Sequence, residues 1–323
     1  MEELALILKE KRLKQGYLNL DIPESKITLD SNGKAINIEK YDINFANEII
    51  EQFMLTANET IAEKFFWLEA PFIYRVHEEP DYEKIMETNR FLYNIGYKIK
   101  ANKENIKPKA FSEVLEKIQG TEYEKVISNL ILRTLKVARY EAENKGHFGI
   151  ASKYYCHFTS PIRRYPDLFI HRVISLYLAE GYNVSDEENE ELYVKAIKYA
   201  KSSSEAEKIA TKAEREADAI KKAEFMEDKI GEEFDGIISS ITAFGIFVEL
   251  ESTVEGLVRF EHMGSKEYLV YDENRKILIG QNTGKIYKIG DKVRIRVIEA
   301  NKQLRKINFE LICLRMIEQK RHI

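Results

Sequence analysis

Apolar and polar positions change rhythm twice along this chain, and the elements follow from that rhythm. Ile43, Ala46, Ile50, Met54, Ala57, Ile61 and Phe65 recur at steps of three and four, which predicts a long amphipathic helix laying that stripe on a core. Before it, Gly16-Tyr17-Leu18-Asn19-Leu20, Lys26–Leu29 and Ala35–Ile38 read as short strands, with Asn32-Gly33 as the turn between the last two. Further helices are predicted over Tyr82–Ile95, Phe111–Ile118, Glu122–Arg139, Asp167–Leu178, Glu190–Lys201 and Ser204–Asp228. From Gly231 the texture becomes β-branched and aromatic. Strands are predicted at Phe234–Ser240, Ile246–Leu250, Gly256–Phe260, Lys292–Ala300 and Lys306–Glu310. About five strands in so short a stretch point to a small closed barrel, and the whole chain to an α+β fold. The expected division is a mainly helical domain over residues 1–228, a barrel over 229–315 and a tail over 316–323.

Composition narrows the function classes. With 323 residues, 44% hydrophobic and 32% charged, the chain has material for about two soluble domains. No run is apolar enough to span a bilayer, and Met1-Glu2-Glu3-Leu4 lacks the basic start of a secretion signal, so a cytoplasmic location without membrane partners is expected. Cys156 and Cys313 are far apart and neither belongs to a CxxC pair, which supports neither a disulfide framework nor a zinc site. A net charge of −4 means that any nucleic-acid contact must rely on local positive charge. Such clusters occur at Lys9–Lys14, Arg163-Arg164 and Lys302–Lys306.

The chemistry concentrates in Gly146-His147-Phe148-Gly149 and in His157-Phe158-Thr159-Ser160-Pro161-Ile162-Arg163-Arg164-Tyr165-Pro166-Asp167, ending at His171-Arg172. Pro166 would break a helix begun at Pro161, so a tight turn from Ser160 to Tyr165 and a helix from Pro166 are expected. Two arginines then sit at a helix N-terminus, where the dipole disfavours cations. Either a phosphate lies there, held by guanidinium groups and free N–H groups, or Asp167 pairs with one arginine and no ligand is needed. The residues alone leave both readings open.

These segments, with Ile50-Glu51-Gln52-Phe53-Met54-Leu55-Thr56-Ala57-Asn58 and Tyr74-Arg75-Val76-His77-Glu78-Glu79-Pro80, resemble the signature of the RNB catalytic domain of RNase R and RNase II type exoribonucleases, RNase R being the closer likeness. The resemblance implies that single-stranded RNA is threaded to a buried site and hydrolysed processively from its 3′ end to 5′-mononucleotides, with Mg2+ assisting water attack. It implies that Arg163 grips phosphate beside the scissile bond, with Arg164 as its neighbour, and that Glu51 lies near the terminal ribose. Gln52 departs from the second acid of the usual pair. Tyr165 and His157 are candidates to shape the channel, against a packed aromatic and a satisfied core histidine. Glu207 is a further candidate to approach it. The family's metal is held by an IDxxxAxDxDD-like segment, and Asp21, Asp30 and Asp42 do not have that spacing. The expectation is therefore the C-terminal part of such an enzyme, with no metal site of its own, inactive in isolation and partnered by a missing N-terminal part. The alternatives are a non-catalytic RNA-binding module or the remnant of a split gene.

Gly236-Ile237-Ile238, Ala243-Phe244-Gly245-Ile246-Phe247-Val248, Gly256-Leu257-Val258 and Tyr287-Lys288-Ile289-Gly290-Asp291-Lys292-Val293 are similar to the S1-type RNA-binding barrel. By position in that motif, Phe244, Phe247 and Arg259 are implied RNA contacts, with Arg294 and Arg305 as charged support. Arg259 stands where such barrels often carry histidine, and one of the two phenylalanines could instead be core.

Overall fold

A computed structural model describes residues 1–20, 24–121, 123–264, 267–273 and 275–312. Along the chain run α1 (Glu2–Gln15), a hairpin of β1 (Ser25–Leu29) and β2 (Ala35–Lys40), α2 (Phe45–Trp67), β3 (Tyr74–Val76), α3 (Tyr82–Asn94), α4 (Pro108–Ile118), α5 (Glu124–Thr134) and β4 (Arg139–Glu141). Then come α6 (Tyr165–Ala179), α7 (Asp186–Glu227) and the strands β5 (Glu233–Thr242), β6 (Gly245–Leu250), β7 (Glu255–Arg259), β8 (Leu269–Asp272), β9 (Ile277–Gly280), β10 (Ile286–Lys288), β11 (Lys292–Asn301) and β12 (Lys306–Ile312). Among the described residues, no helix is long and apolar enough to cross a membrane.

The chain divides into two units. The first comprises residues 1–20, 43–119 and 128–211. Its core stacks Phe65 on Phe72 at 5.1 Å between centroids and sets Tyr177 edge-on to Phe65 at 5.8 Å. Ile170 and Val173 of α6 and Ala196 and Ala200 of α7 complete that core. The second unit comprises residues 21–42, 120–127 and 212–323, so it takes in the β1–β2 hairpin as well as the barrel. There the Ser25 and Thr253 hydroxyls lie 2.6 Å apart, and the Glu224 carboxylate accepts from the Ala35 amide at 3.2 Å.

The barrel closes in the order β11-β12-β7-β6-β5. Its pairs are antiparallel except β7 with β12, which run parallel. Ile238, Ile246, Val248, Val258, Ile295, Val297 and Phe309 fill the interior. Gly256 is required there: a Cβ would stand 2.4 Å from the Phe309 ring.

Several elements differ from expectation, each for a local reason. The α2 helix forms, but its buried face is Gln52, Leu55, Asn58, Ala62 and Phe65, while Ile43 and Ile50 are each 60% exposed. Polar Gln52 and Asn58 are buried because each is hydrogen-bonded, the condition under which polar groups enter a core. Residues 16–20 form no strand, since Gly16 ends α1 in the left-handed region (φ 99°) with its N–H and that of Tyr17 satisfying the last turn. The helix expected to reach Arg139 stops at Thr134, and Arg139 enters β4, which pairs with β3. The two helices expected over 190–201 and 204–228 are one 42-residue helix, because the serines between them contain no helix breaker. The antiparallel sheet β10-β9-β8 was not anticipated.

Candidate nucleic-acid interface

Asn58, wholly buried on α2, fixes the segment that leads to the arginine pair. Its Nδ2 donates to the Tyr155 hydroxyl (3.1 Å), its Oδ1 accepts from the Phe158 amide (3.0 Å), and its carbonyl accepts from the Cys156 thiol (3.3 Å). The chain then turns at Ser160, whose carbonyl accepts from both the Arg163 and Arg164 amides at 3.3 and 3.1 Å. Pro166 follows in the first turn of α6, where its missing N–H costs nothing. Asp167, fully buried in that turn, accepts at Oδ1 from the Ser160 amide (2.8 Å) and from Arg164 Nη2 (2.7 Å).

The structure gives Asp167 the arginine partner that the second of the two readings expects. Arg164 takes the ion pair with Asp167, its side chain 18% exposed. Arg163 is exposed and has no ion-pair partner among the described residues. The pairing is incomplete: Arg164 Nε and Asp167 Oδ2 are buried with no hydrogen-bond partner among the described residues.

Arg164, Arg75 and Arg163 all act on the imidazole of His157 beside this turn. The half-buried His157 imidazole is pushed down to about 2 by desolvation, then by Arg164, Arg75, His147 and Arg163, so it is neutral. Its Nδ1 lies 2.9 Å from the Tyr140 hydroxyl. His147 is held near 3 by burial, then by His77 and Arg75. Arg75 lies over the Tyr140 ring at 4.7 Å and donates to Glu207 at 2.6 Å. Arg164 and Arg75 are each already paired with a carboxylate, which leaves Arg163 as the guanidinium of this group with no ion pair among the described residues. Tyr165 is 41% exposed and edge-on to Tyr199 at 4.9 Å. Glu51 is half-buried and accepts from the Tyr17 hydroxyl at 3.0 Å, whereas Gln52 turns to Arg12 at 3.1 Å.

On the barrel, strand register gathers three candidates. Gly245 is paired with Arg259 and Phe247 with Leu257, so Arg259 and Phe247 share the outer face as diagonal neighbours. Phe244 is 54% exposed and edge-on to Phe247 at 6.3 Å, so neither ring is in the core. Arg259 is exposed and has no ion pair among the described residues. The other two arginines are paired with acids. Arg294 is paired with Asp235 (3.0 Å) and Glu233 (3.3 Å), five positions along β5 from Ser240, the partner of Phe247, or ~17 Å of strand. Arg305 pairs with Glu216 at 2.9 Å.

A model of the RNB domain matches residues 1–180. The chain belongs to the RNB family. A model of the S1 RNA binding domain matches residues 227–312. The ribonuclease R of Ureaplasma parvum is 42% identical over 321 residues, covering 96% of this chain and 44% of that protein. The apo structure of Mycoplasma genitalium RNase R has a TM-score of 0.88 at 29% identity, over 96% of this chain and 48% of that one. The same enzyme in complex with ribose methylated single-stranded RNA gives the same values. The chain therefore spans about half the length of these relatives or less.

RNB membership implies a divalent metal ion. Among the described residues, however, no three His, Cys, Asp or Glu side chains converge to hold one; Asp21 lies outside the described residues. Within the RNB-matched part, sequence reasoning quoted Asn58 and Arg75 but gave neither a role, and it missed Tyr17, Tyr140 and Tyr155. Only the folded hydrogen bonds single these residues out, since the sequence spacing from Asn58 to Tyr155 carries no local signal.

Proposed function

We propose that this chain works in the cytoplasm as the C-terminal part of a 3′-to-5′ exoribonuclease that hydrolyses single-stranded RNA processively to 5′-mononucleotides. Residues 1–228 carry the RNB share of the chemistry, and residues 229–315 the S1 share. Mg2+ belongs to the complete enzyme, with its aspartates supplied from outside these 323 residues. Arg163 carries the reading: an exposed guanidinium with no ion pair among the described residues, placed at the start of α6 by a turn whose other arginine is already neutralised. It takes the phosphate beside the scissile bond, while Arg164 with Asp167 sets the turn that aims it. Glu51 lies toward the terminal ribose, and His157 and Tyr165 shape the wall of the channel. Phe244 and Phe247 stack bases, each contributing about 1–3 kcal/mol, and Arg259 takes phosphate. Arg294 and Arg305 support the strand by exchanging their present carboxylate partners for phosphate.

The test is a labelled oligoribonucleotide offered to the pure chain with magnesium. Binding without release of mononucleotides is expected, and Phe247→Ala weakens that binding. Robust release would refute the supply of aspartates from elsewhere, and absence of binding would refute the RNA reading itself. A second reading is a module that holds RNA without cutting it. The DNA immediately before the first codon separates the two: an open frame encoding the aspartate cluster supports the nuclease.

A further inference from the structure

The connection from α3 to α4, taken with the first turn of α4, concentrates positive charge in a chain of net charge −4. Lys98, Lys100, Lys103, Lys107 and Lys109 fall within thirteen residues, 97–109, that contain a single acid, Glu104. All five lysines are exposed, and among the described residues none forms an ion pair. Elsewhere the chain pairs many of its lysines, as in Lys9 with Glu48, Lys26 with Glu39 and Lys34 with Asp228. An ordinary solvated loop mixes charges in that manner. Five like charges without counter-charges repel one another, so a polyanion lying across them would be stabilised.

The loop is also held in place. Asn89, 2% exposed, donates from Nδ2 to the Ile99 carbonyl (2.9 Å) and accepts at Oδ1 from the Ile99 amide (2.8 Å). Ile99 is fully buried and Ile106 is 8% exposed, so the stretch is anchored at two points. Lys98 and Lys100 flank one anchor and Lys107 follows the other, which turns their ammonium groups to solvent. Pre-ordering of this kind lowers the entropy lost when a ligand binds. An aromatic face is present too: Tyr93 is 53% exposed, with Lys98 Nζ 5.3 Å from its ring centroid. A basic surface interleaved with an exposed aromatic suits single-stranded nucleic acid better than an acidic polypeptide, because a base stacks where an acidic side chain gains nothing.

We infer that the α3–α4 connection is an additional RNA-binding surface, taking the phosphodiester backbone of a single strand on Lys98, Lys100, Lys103, Lys107 and Lys109 and a base on Tyr93. It lies outside the Arg163 turn and outside the S1 barrel, and it rests on the RNA reading above.

The experiment measures affinity of the whole chain for a labelled oligoribonucleotide as salt is raised, for the wild type, for the triple variant Lys98→Gln, Lys100→Gln, Lys103→Gln, and for Phe247→Ala. Each phosphate neutralised contributes about 0.7 to the logarithmic salt slope of a single strand, so the triple variant reduces that slope by about 2 and weakens low-salt binding about tenfold or more. The replaced residues are exposed, and an unchanged melting temperature verifies that the fold survives. A triple variant with wild-type slope and affinity, beside a weakened Phe247→Ala, overturns the inference while leaving the RNA reading intact. Unchanged RNA binding with loss of polyglutamate binding overturns it in favour of an acidic polypeptide. A wild-type chain that binds no RNA overturns both.

Discussion

Two adjacent arginines of this chain sit in different surroundings, and substitution separates them. Arg164 neutralises Asp167, which has no exposed surface, so Arg164→Ala leaves a buried carboxylate without its counter-charge, held by the Ser160 amide, and costs about 3 kcal/mol in chemical denaturation. Arg163→Ala leaves the melting curve unmoved, because the side chain is exposed and pairs with no acid among the described residues. The histidines give a second prediction at this scale. His157 and His147 are held near 2 and 3 in the folded chain, below their ordinary value, so the unfolded chain takes up protons first as pH falls. Their neutral burial therefore costs no stability above about pH 6.5 and destabilises progressively below it, by up to about 1.4 kcal/mol per pH unit for each. Urea titrations between pH 7 and 5 measure this, and His157→Gln makes the dependence shallower. An unchanged slope in that variant would show that His157 already titrates in the fold. The motif containing both arginines was legible in the sequence. Which of them Asp167 would take was not, since i to i+3 and i to i+4 spacings on a helix are equally close.

Among the elements, α2 shows what periodicity can and cannot settle. Its existence was plain from the apolar steps, yet the buried face is turned toward Gln52 and Asn58, whose hydrogen bonds outweigh the burial of Ile50. The expected consequence is that Ile50→Glu changes stability by no more than about 0.5 kcal/mol. Asn58→Leu, in contrast, leaves the Phe158 amide unpaired and costs about 2 kcal/mol, measured by the same denaturation. The reverse order of those two values would restore the apolar stripe to the core. Gly16 was readable as a helix stop, had α1 been weighed ahead of the strand-like run Tyr17–Leu20. Strands of three or four residues, as in β8 to β10, fall below the length at which alternation is distinguishable from a loop.

At the scale of the whole molecule, the five barrel strands were legible because each buries alternate positions along part of its length. The compact units were less so: the β1–β2 hairpin belongs with the barrel across nearly two hundred residues of sequence, a separation that no local pattern reports. An overall charge of −4 likewise conceals where the cations lie. Arg163, Arg259 and the lysines of the α3–α4 connection have no ion-pair partners among the described residues, whereas Arg164, Arg294 and Arg305 are paired with acids. Local positive charge of that kind makes RNA binding salt-sensitive without a basic protein. The most direct measurement is fluorescence anisotropy of a labelled single-stranded oligoribonucleotide with the wild-type chain and Arg163→Ala. Loss of one charge-assisted phosphate contact predicts affinity lower by about tenfold or more, and a salt slope reduced by about 0.7. Equal affinity and equal slope for the two proteins would contradict the assignment of Arg163 to phosphate.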